Sequence, residues 1–264
     1  MGLEAEFAII GGTGVYDPGL LDAPAFHRIE TAYGEAHVTI GQYAGRQVAF
    51  LARHGKGHAV PPHKVNYRAN IDALKQLGVQ QVLATAAVGS IRKEFIPGSL
   101  VLVSDFIDMT KSRVSTFHEG QDGVVHIDMT DPYCGRLRRK ISQLAKDEGV
   151  ALVDDGIYVC TEGPRFETAA EIRMYSQLGG DVVGMTSVPE VILAKEAELC
   201  YATVAIVTNY CTGISDTVLT HREVMDEMKA NIEKVRKLFF KVIEAGTGER
   251  TCQCPHALAE LGSL

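Results

Sequence analysis

Three features of the chain predict a single α/β domain with a mostly parallel, twisted central sheet flanked by helices on both faces. Short apolar runs rich in β-branched residues recur, each the length of a buried strand. Helical patterns lie between several of them. No composition shift, low-complexity stretch or internal repeat divides the 264 residues. Strands that alternate with helices imply parallel pairing and a sheet covered on both sides.

The runs are Phe7–Ile10, Val48–Leu51, Val82–Thr85, Leu100–Val103, Ile157–Cys160, Val182–Met185 and Thr203–Val207, each with Gly, Pro, Asn or Asp nearby. From Asn66 to Leu77, residues Ala69, Ala73 and Leu77 share one helical face, and Gly78 stops the helix. Leu137 to Glu148, Ala169 to Leu178 and Glu190 to Leu199 follow the same pattern, and Glu223 to Glu244 is the longest, strongly amphipathic. The expected division is a domain over 1–246 and a loosely attached tail over 247–264. Lys111 to Asp131 lacks a clear period, and long irregular loops in compact domains are often functional.

Composition excludes several classes of function. With 46% apolar and 22% charged residues the chain is not disordered. Twenty-six Lys and Arg against 33 Asp and Glu, without a basic run, argue against a nucleic-acid partner. The longest uncharged stretch, Leu199 to Ser215, is too polar and too short for a span of about 20 apolar residues. No membrane partner is expected. No basic region precedes an apolar one at the start, so a cytoplasmic location is expected. Of six cysteines, only Cys252 and Cys254 make a close pair. Two thiols in a loose tail is the plain reading, and a local redox staple the alternative.

Ligands of an open parallel sheet bind beyond the carboxyl ends of the strands. Gly11-Gly12-Thr13-Gly14 follows the first run and suits either an anion or a tight turn. Arg53 and His54 follow the second, where a guanidinium's forked donors fit a phosphate. A metal site on His54, His58 and His63 lacks nearby acidic or thiolate ligands. Ala86-Ala87-Val88-Gly89 permits close backbone approach or close helix packing. Phe166 and Glu167 follow the fifth run, with Glu167 placed either to meet a ligand or to serve a helix N-terminus. Thr186 and Ser187 follow the sixth run, and Asn209, whose amide both donates and accepts, follows the last.

Taken together, IIGGTG, ARHGKGH with PPHKVNYRANIDAL, TAAVGSI, TEGPRFETAAEIR, and GMTSVPEVILAKE with VTNY resemble the trimeric nucleoside phosphorylases. That family holds purine nucleoside phosphorylase and methylthioadenosine phosphorylase. The likeness runs from Ile9 to about Val242. It implies phosphorolysis, in which inorganic phosphate displaces a purine from ribose C1′ with no metal or organic cofactor. By the resemblance, Thr13, Arg53, His54, the Ala87 N–H and Thr186 bind phosphate, with His54 also catalytic. Phe166 stacks on the base, Met185 lines the ribose, and His126 reaches a neighbouring subunit's sugar pocket. A homotrimer, or a dimer of trimers, follows. Ala86 departs from the methylthioadenosine pattern, which has a phosphate-contacting Thr there.

Three positions bear on the nucleoside. Adenine-specific members carry aspartates in a T-D-Y-D stretch that here reads Thr208-Asn209-Tyr210-Cys211. Asn209 donates to purine N7 and engages a 6-oxo group. Glu167 matches a carboxylate aimed at the N1–H of hypoxanthine or guanine, and adenine N1 would leave it unpaired. His221 aligns with a His that bonds the 5′-hydroxyl, where the methylthio branch has an apolar residue. The expected substrates are inosine and guanosine, with Asn209, His54 and Glu167 catalytic. Methylthioinosine is the alternative, then methylthioadenosine. From other classes, a dinucleotide oxidoreductase lacks its third glycine and acidic residue, and a non-catalytic binder would leave inosine intact.

Overall fold

The computed structural model describes residues 3–11, 17–55, 57, 59–120, 123–214 and 221–259, without the side chains of 18, 221–228 and 230. Among the described residues, nine strands form one sheet: β1 (Phe7–Gly11), β2 (Asp22–Thr31), β3 (Gly34–Tyr43), β4 (Arg46–Ala52), β5 (Gln81–Ser90), β6 (Leu100–Met109), β7 (Val153–Thr161), β8 (Val182–Gly184) and β9 (Cys200–Tyr210). The α-helices among the described residues are α1 (Tyr67–Gln76), α2 (Gly135–Asp147), α3 (Ala169–Gln177), α4 (Ser187–Glu196) and α5 (His221–Glu244). Every run expected to be a strand lies on one, except that Met185 falls just beyond β8.

The sheet order is β2-β3-β4-β1-β5-β8-β7-β6-β9, and β5 also pairs with β9. The strands β5, β8, β7, β6 and β9 therefore close into a ring, from which β1, β4, β3 and β2 extend. Pairing is parallel for β1–β4, β1–β5, β5–β9, β6–β7 and β7–β8. It is antiparallel for β2–β3, β3–β4, β5–β8 and β6–β9. The sheet is mixed, more antiparallel than the alternating pattern predicts.

The antiparallel extension was not visible as apolar runs, because β2 is exposed along most of its length. Its hairpin with β3 turns at residues 32–33, where the Thr31 hydroxyl donates to Gly34 O and Asn66 Nδ2 donates to Tyr33 O. The central strands alternate instead between two cores, as a period of two requires. Ala8 and Ile10 pack with Ile71, Leu74, Val191 and Leu193 on the α1 and α4 side. Phe7 and Ile9 pack with Leu137, Ile141, Val235 and Phe239 on the α2 and α5 side.

Local signals set the helix ends. Asn66 caps α1 by accepting the Ala69 N–H at 3.1 Å. Thr168 and Glu171 form a capping box at α3. Beyond Gly246, Thr247 and Cys254 pack against the domain. Thr247 O accepts from Gln81 Nε2 and from Arg136, and Cys254 is buried in the α2–α5 core. Docking gives an acceptor to Nε2 of Gln81, a residue with no exposed surface. No helix among the described residues is long and apolar enough to cross a membrane.

Candidate active site

The carboxyl ends of β4, β5, β7, β8 and β9 carry the polar residues singled out above. Arg53 follows β4, and its backbone N–H donates to Gly11 O, which locks it against β1. Its guanidinium is buried and grips Glu190 in α4 with two bonds, Nε at 2.6 Å and Nη2 at 2.7 Å. Nη1 donates to Thr85 O at 2.9 Å, two residues before Ala87. Tyr201 adds a hydroxyl to Glu190 at 2.7 Å. Burial lowers the Arg53 pKa, but the Glu190 carboxylate outweighs it and raises the net value, so the cation persists.

Glu190 was expected only to open a helix. It has no exposed surface, and a buried carboxylate must be paired. The signal was available: a lone acid amid Val188-Pro189 and Val191-Ile192-Leu193 on an otherwise apolar segment.

His54 is also buried. Its Nδ1 donates to Val60 O at 2.8 Å while the Val60 N–H donates back to His54 O. With Nδ1 as donor, Nε2 of the neutral ring is an acceptor. Ala87 is exposed although Gln81 to Ala86 and Val88 around it on β5 are buried. Thr186 is the N-cap residue of α4, its backbone N–H donating to the Tyr158 hydroxyl at 3.3 Å. The Arg53–Glu190 pair thus ties the end of β4, the β5 backbone and the α4 terminus into one body.

On the other side of the ring, the Thr161 hydroxyl donates to Glu167 Oε1 at 2.7 Å. Burial pushes the Glu167 carboxyl above its ordinary value, and the Thr161 bond opposes this. Phe166 beside it is 45% exposed, open enough for a ring to lie on it. Asn209 sits in register with Gly89. Its Oδ1 accepts from Thr208 at 2.7 Å and its Nδ2 donates to Tyr210 O at 2.9 Å. A Cβ on Gly89 would lie 3.0 Å from Asn209 Nδ2 and 2.7 Å from Cys211 Sγ, so only glycine admits both. Burial raises the Cys211 pKa, and the Glu167 carboxylate adds to the effect.

Met185 is half-buried after β8, against Gly163, where a Cβ would meet its Sδ at 2.5 Å. Arg113 holds this region. Nη1 donates to Met185 O at 2.7 Å and Val188 O at 2.6 Å, and Nη2 to Thr161 O and Glu162 O. Arg113 was missed as a residue, although the irregular segment containing it was marked. No local pattern distinguishes it from any surface arginine.

The structure therefore brings Arg53, Thr186 and the β5 end together, and Glu167 with the β7 and β8 ends. Asn209 lies beside the β5 end, in register with Gly89. His126 is exposed. Thr13 and His58 lie outside the described residues, as does the side chain of His221, whose backbone opens α5. Among the described residues, a group of potential metal ligands forms around Cys134, not around His54 and His63.

The family model described as the phosphorylase superfamily matches residues 6–244. A probable 6-oxopurine nucleoside phosphorylase of Dictyoglomus turgidum is 57% identical, over 97% of this chain and 97% of its own. A 6-oxopurine nucleoside phosphorylase of Pyrococcus furiosus is 51% identical, over 96% of this chain and 97% of its own. A methylthioadenosine phosphorylase from an antarctic soil metagenomic library superposes with a TM-score of 0.92 at 35% identity, over 98% of this chain and 93% of its own.

Proposed function

The chain belongs to the phosphorylase superfamily, and within it we propose phosphate-dependent cleavage of the N-glycosidic bond of 6-oxopurine nucleosides. Inosine and guanosine would give the free base and ribose 1-phosphate. One observation carries the reading of the base. An acceptor carboxylate, Glu167, is held at the end of β7 by the Thr161 hydroxyl, and a donor amide, Asn209, stands near the end of β9 in register with Gly89. A 6-oxopurine presents N1–H to the first and N7 and O6 to the second. Adenine presents a lone pair at N1 and would leave a half-buried carboxylate unpaired, a heavy penalty. The names of the two relatives agree with this choice.

In the proposed mechanism, Arg53, His54, Thr13, Thr186 and the Ala87 N–H hold phosphate below ribose C1′. Glu190 fixes the guanidinium, so that the remaining N–H of Nη1 and of Nη2 meets phosphate without reorganising. As the glycosidic bond breaks, C1′ becomes cationic, and the adjacent phosphate dianion stabilises it by charge and proximity. The bond's electron pair goes to the purine, and Asn209 donates to N7 as that charge gathers. Phosphate oxygen then bonds to C1′. Phe166 stacks on the base, Met185 lines the ribose, and His221 receives the 5′-hydroxyl. His126 serves a neighbouring subunit's pocket in a cytoplasmic trimer or dimer of trimers. The chemistry calls for no metal or organic cofactor.

Base release from inosine, guanosine, methylthioinosine and methylthioadenosine, each with and without phosphate, tests this. Phosphate-dependent release from inosine and guanosine is expected. Preference for methylthioinosine would overturn the 5′ reading, and preference for methylthioadenosine the base reading. Bound inosine left intact with phosphate present would overturn catalysis altogether.

A further inference from the structure

A second buried arginine stands on the nucleoside side of the site. The side chain of Arg113 is 3% exposed, although it comes from the irregular segment after β6 and not from a strand or helix. Its Nη1 donates to Met185 O at 2.7 Å and Val188 O at 2.6 Å, and its Nη2 to Thr161 O at 3.1 Å and Glu162 O at 2.8 Å. All four Nη hydrogens therefore end on backbone carbonyls. Those carbonyls belong to the end of β7 and the residue after it, the residue after β8, and the start of α4. Nε is buried, 3.7 Å from Glu162 Oε2. No Nη hydrogen is left to touch a substrate, so Arg113 acts through the residues it holds.

We propose that Arg113 is a positioning residue for the nucleoside, setting Met185 and Glu167 in one frame as Arg53 with Glu190 sets the phosphate side. The proposal rests on the nucleoside site described above. The Met185–Thr186 peptide is held at both ends, its carbonyl by Arg113 and its N–H by the Tyr158 hydroxyl at 3.3 Å. Thr161 gives its carbonyl to Arg113 and its hydroxyl to Glu167 Oε1 at 2.7 Å. One planar guanidinium thus fixes the backbone of the ribose-facing residue and that of the residue holding the base-facing carboxylate.

The backbone here calls for a fork and not merely a charge. Val188 is extended (φ −110°, ψ 130°) within α4, and its carbonyl accepts from Arg113 and from the Cys160 thiol at 3.5 Å. Buried carbonyls need donors, and a lysine, with three hydrogens on one nitrogen, cannot serve two separate pairs. Glu162 anchors the segment just before Arg113, accepting the Lys111 N–H at 2.8 Å and the Ser112 hydroxyl at 3.0 Å. The phosphate side has its own supports. Arg53 bonds Glu190 and Thr85 O, and among the described residues it shares no hydrogen-bond partner with Arg113.

The test is saturation kinetics for the nucleoside and for phosphate in the parent, Arg113→Lys and Arg113→Met. Both variants are expected to raise the inosine KM by about tenfold or more, the scale of a small misplacement in a site. The phosphate KM should stay within about twofold. Arg113→Lys keeps the charge, so it decides the outcome if Arg113→Met fails to fold. Calorimetry with hypoxanthine and with phosphate reads the same split without turnover, and only hypoxanthine binding should weaken. An unchanged inosine KM in Arg113→Lys would overturn the proposal. Equal rises in both KM values would overturn it too, since they mark a general loss of structure. The parent is assayed first on the four nucleosides named above. If it prefers another of them to inosine, the base or sugar reading fails alone, and the same comparison with the preferred nucleoside decides the role of Arg113. A parent that cleaves none of them would overturn both.

Discussion

Replacing Glu190 with Gln changes one buried atom's identity and removes the charge that compensates Arg53. Both side chains are sealed, at 2% exposure for Arg53 and 0% for Glu190. The carboxylate accepts two guanidinium bonds and the Tyr201 hydroxyl, each at 2.6–2.7 Å. Gln offers one acceptor oxygen and turns an NH2 toward a cation, so the bidentate grip fails. Breaking a buried pair from one side costs about 3–5 kcal/mol. The lower figure applies, because Thr85 O still accepts from Nη1. At about 2–4 °C per kcal/mol for a chain of this size, the melting temperature should fall by about 6–12 °C.

The same substitution should raise the phosphate KM at least tenfold, about 1.4 kcal/mol of lost positioning, while the inosine KM moves little. Thermal melts and phosphate saturation curves read the two effects separately. Removing both charges, with Arg53→Met and Glu190→Leu, should restore most of the stability, since apolar replacements often match a buried pair. Tyr201 then loses an acceptor, worth about 1 kcal/mol, and phosphate-dependent turnover stays lost. A Glu190→Gln protein that melts within about 2 °C of the parent with unchanged phosphate KM would refute this account of Arg53.

Glu167 must be ionised to accept from N1–H, and burial holds its pKa above the ordinary 4.5. Inosine kcat/KM should therefore rise with pH through a value above the normal carboxylate range, and Glu167→Gln should flatten that limb. The sign for stability is opposite. A raised folded-state pKa contributes stability that is full below the unfolded value and is lost as pH climbs through the folded one; a Glu167→Gln melt that retains the parent's decline there would show another group responsible. Asn209→Asp with Glu167→Ser should shift relative kcat/KM from inosine toward adenosine, and an unchanged ratio would remove both from base selection. Gly89→Ala places a methyl 3.0 Å from Asn209 Nδ2, so inosine KM should rise about tenfold with phosphate KM unaffected; equal rises would mean a general distortion. His221→Val should cost more activity on inosine than on methylthioinosine, and equal losses would take His221 out of the sugar pocket.

The chain order of buried strands was legible because each is a local run of β-branched residues, and a strand buried on both faces can be little else. Arg53, His54, Thr186 and Asn209 stood out for the same local reason, each being polar just past the end of such a run, while Ala87 stood out for its small size and Glu167 for its place beside Phe166 before a helix. The β2–β3 hairpin did not, since β2 faces solvent for most of its length and carries no apolar run.

What the tertiary structure decided is everything that rests on a partner far along the chain. Arg53 and Glu190 are 137 residues apart, and Arg113 reaches carbonyls up to 75 residues away. Cys200 meets Cys252 across 52. Sequence spacing shows where a charged or thiol group stands, but its energy depends on what desolvates it and what faces it. Those neighbours exist only after β5, β8, β7, β6 and β9 close their ring. The residue types at the strand ends were thus set by local sequence, and their pairing by long-range packing, which brings a buried charge to the one partner that offsets its loss of water.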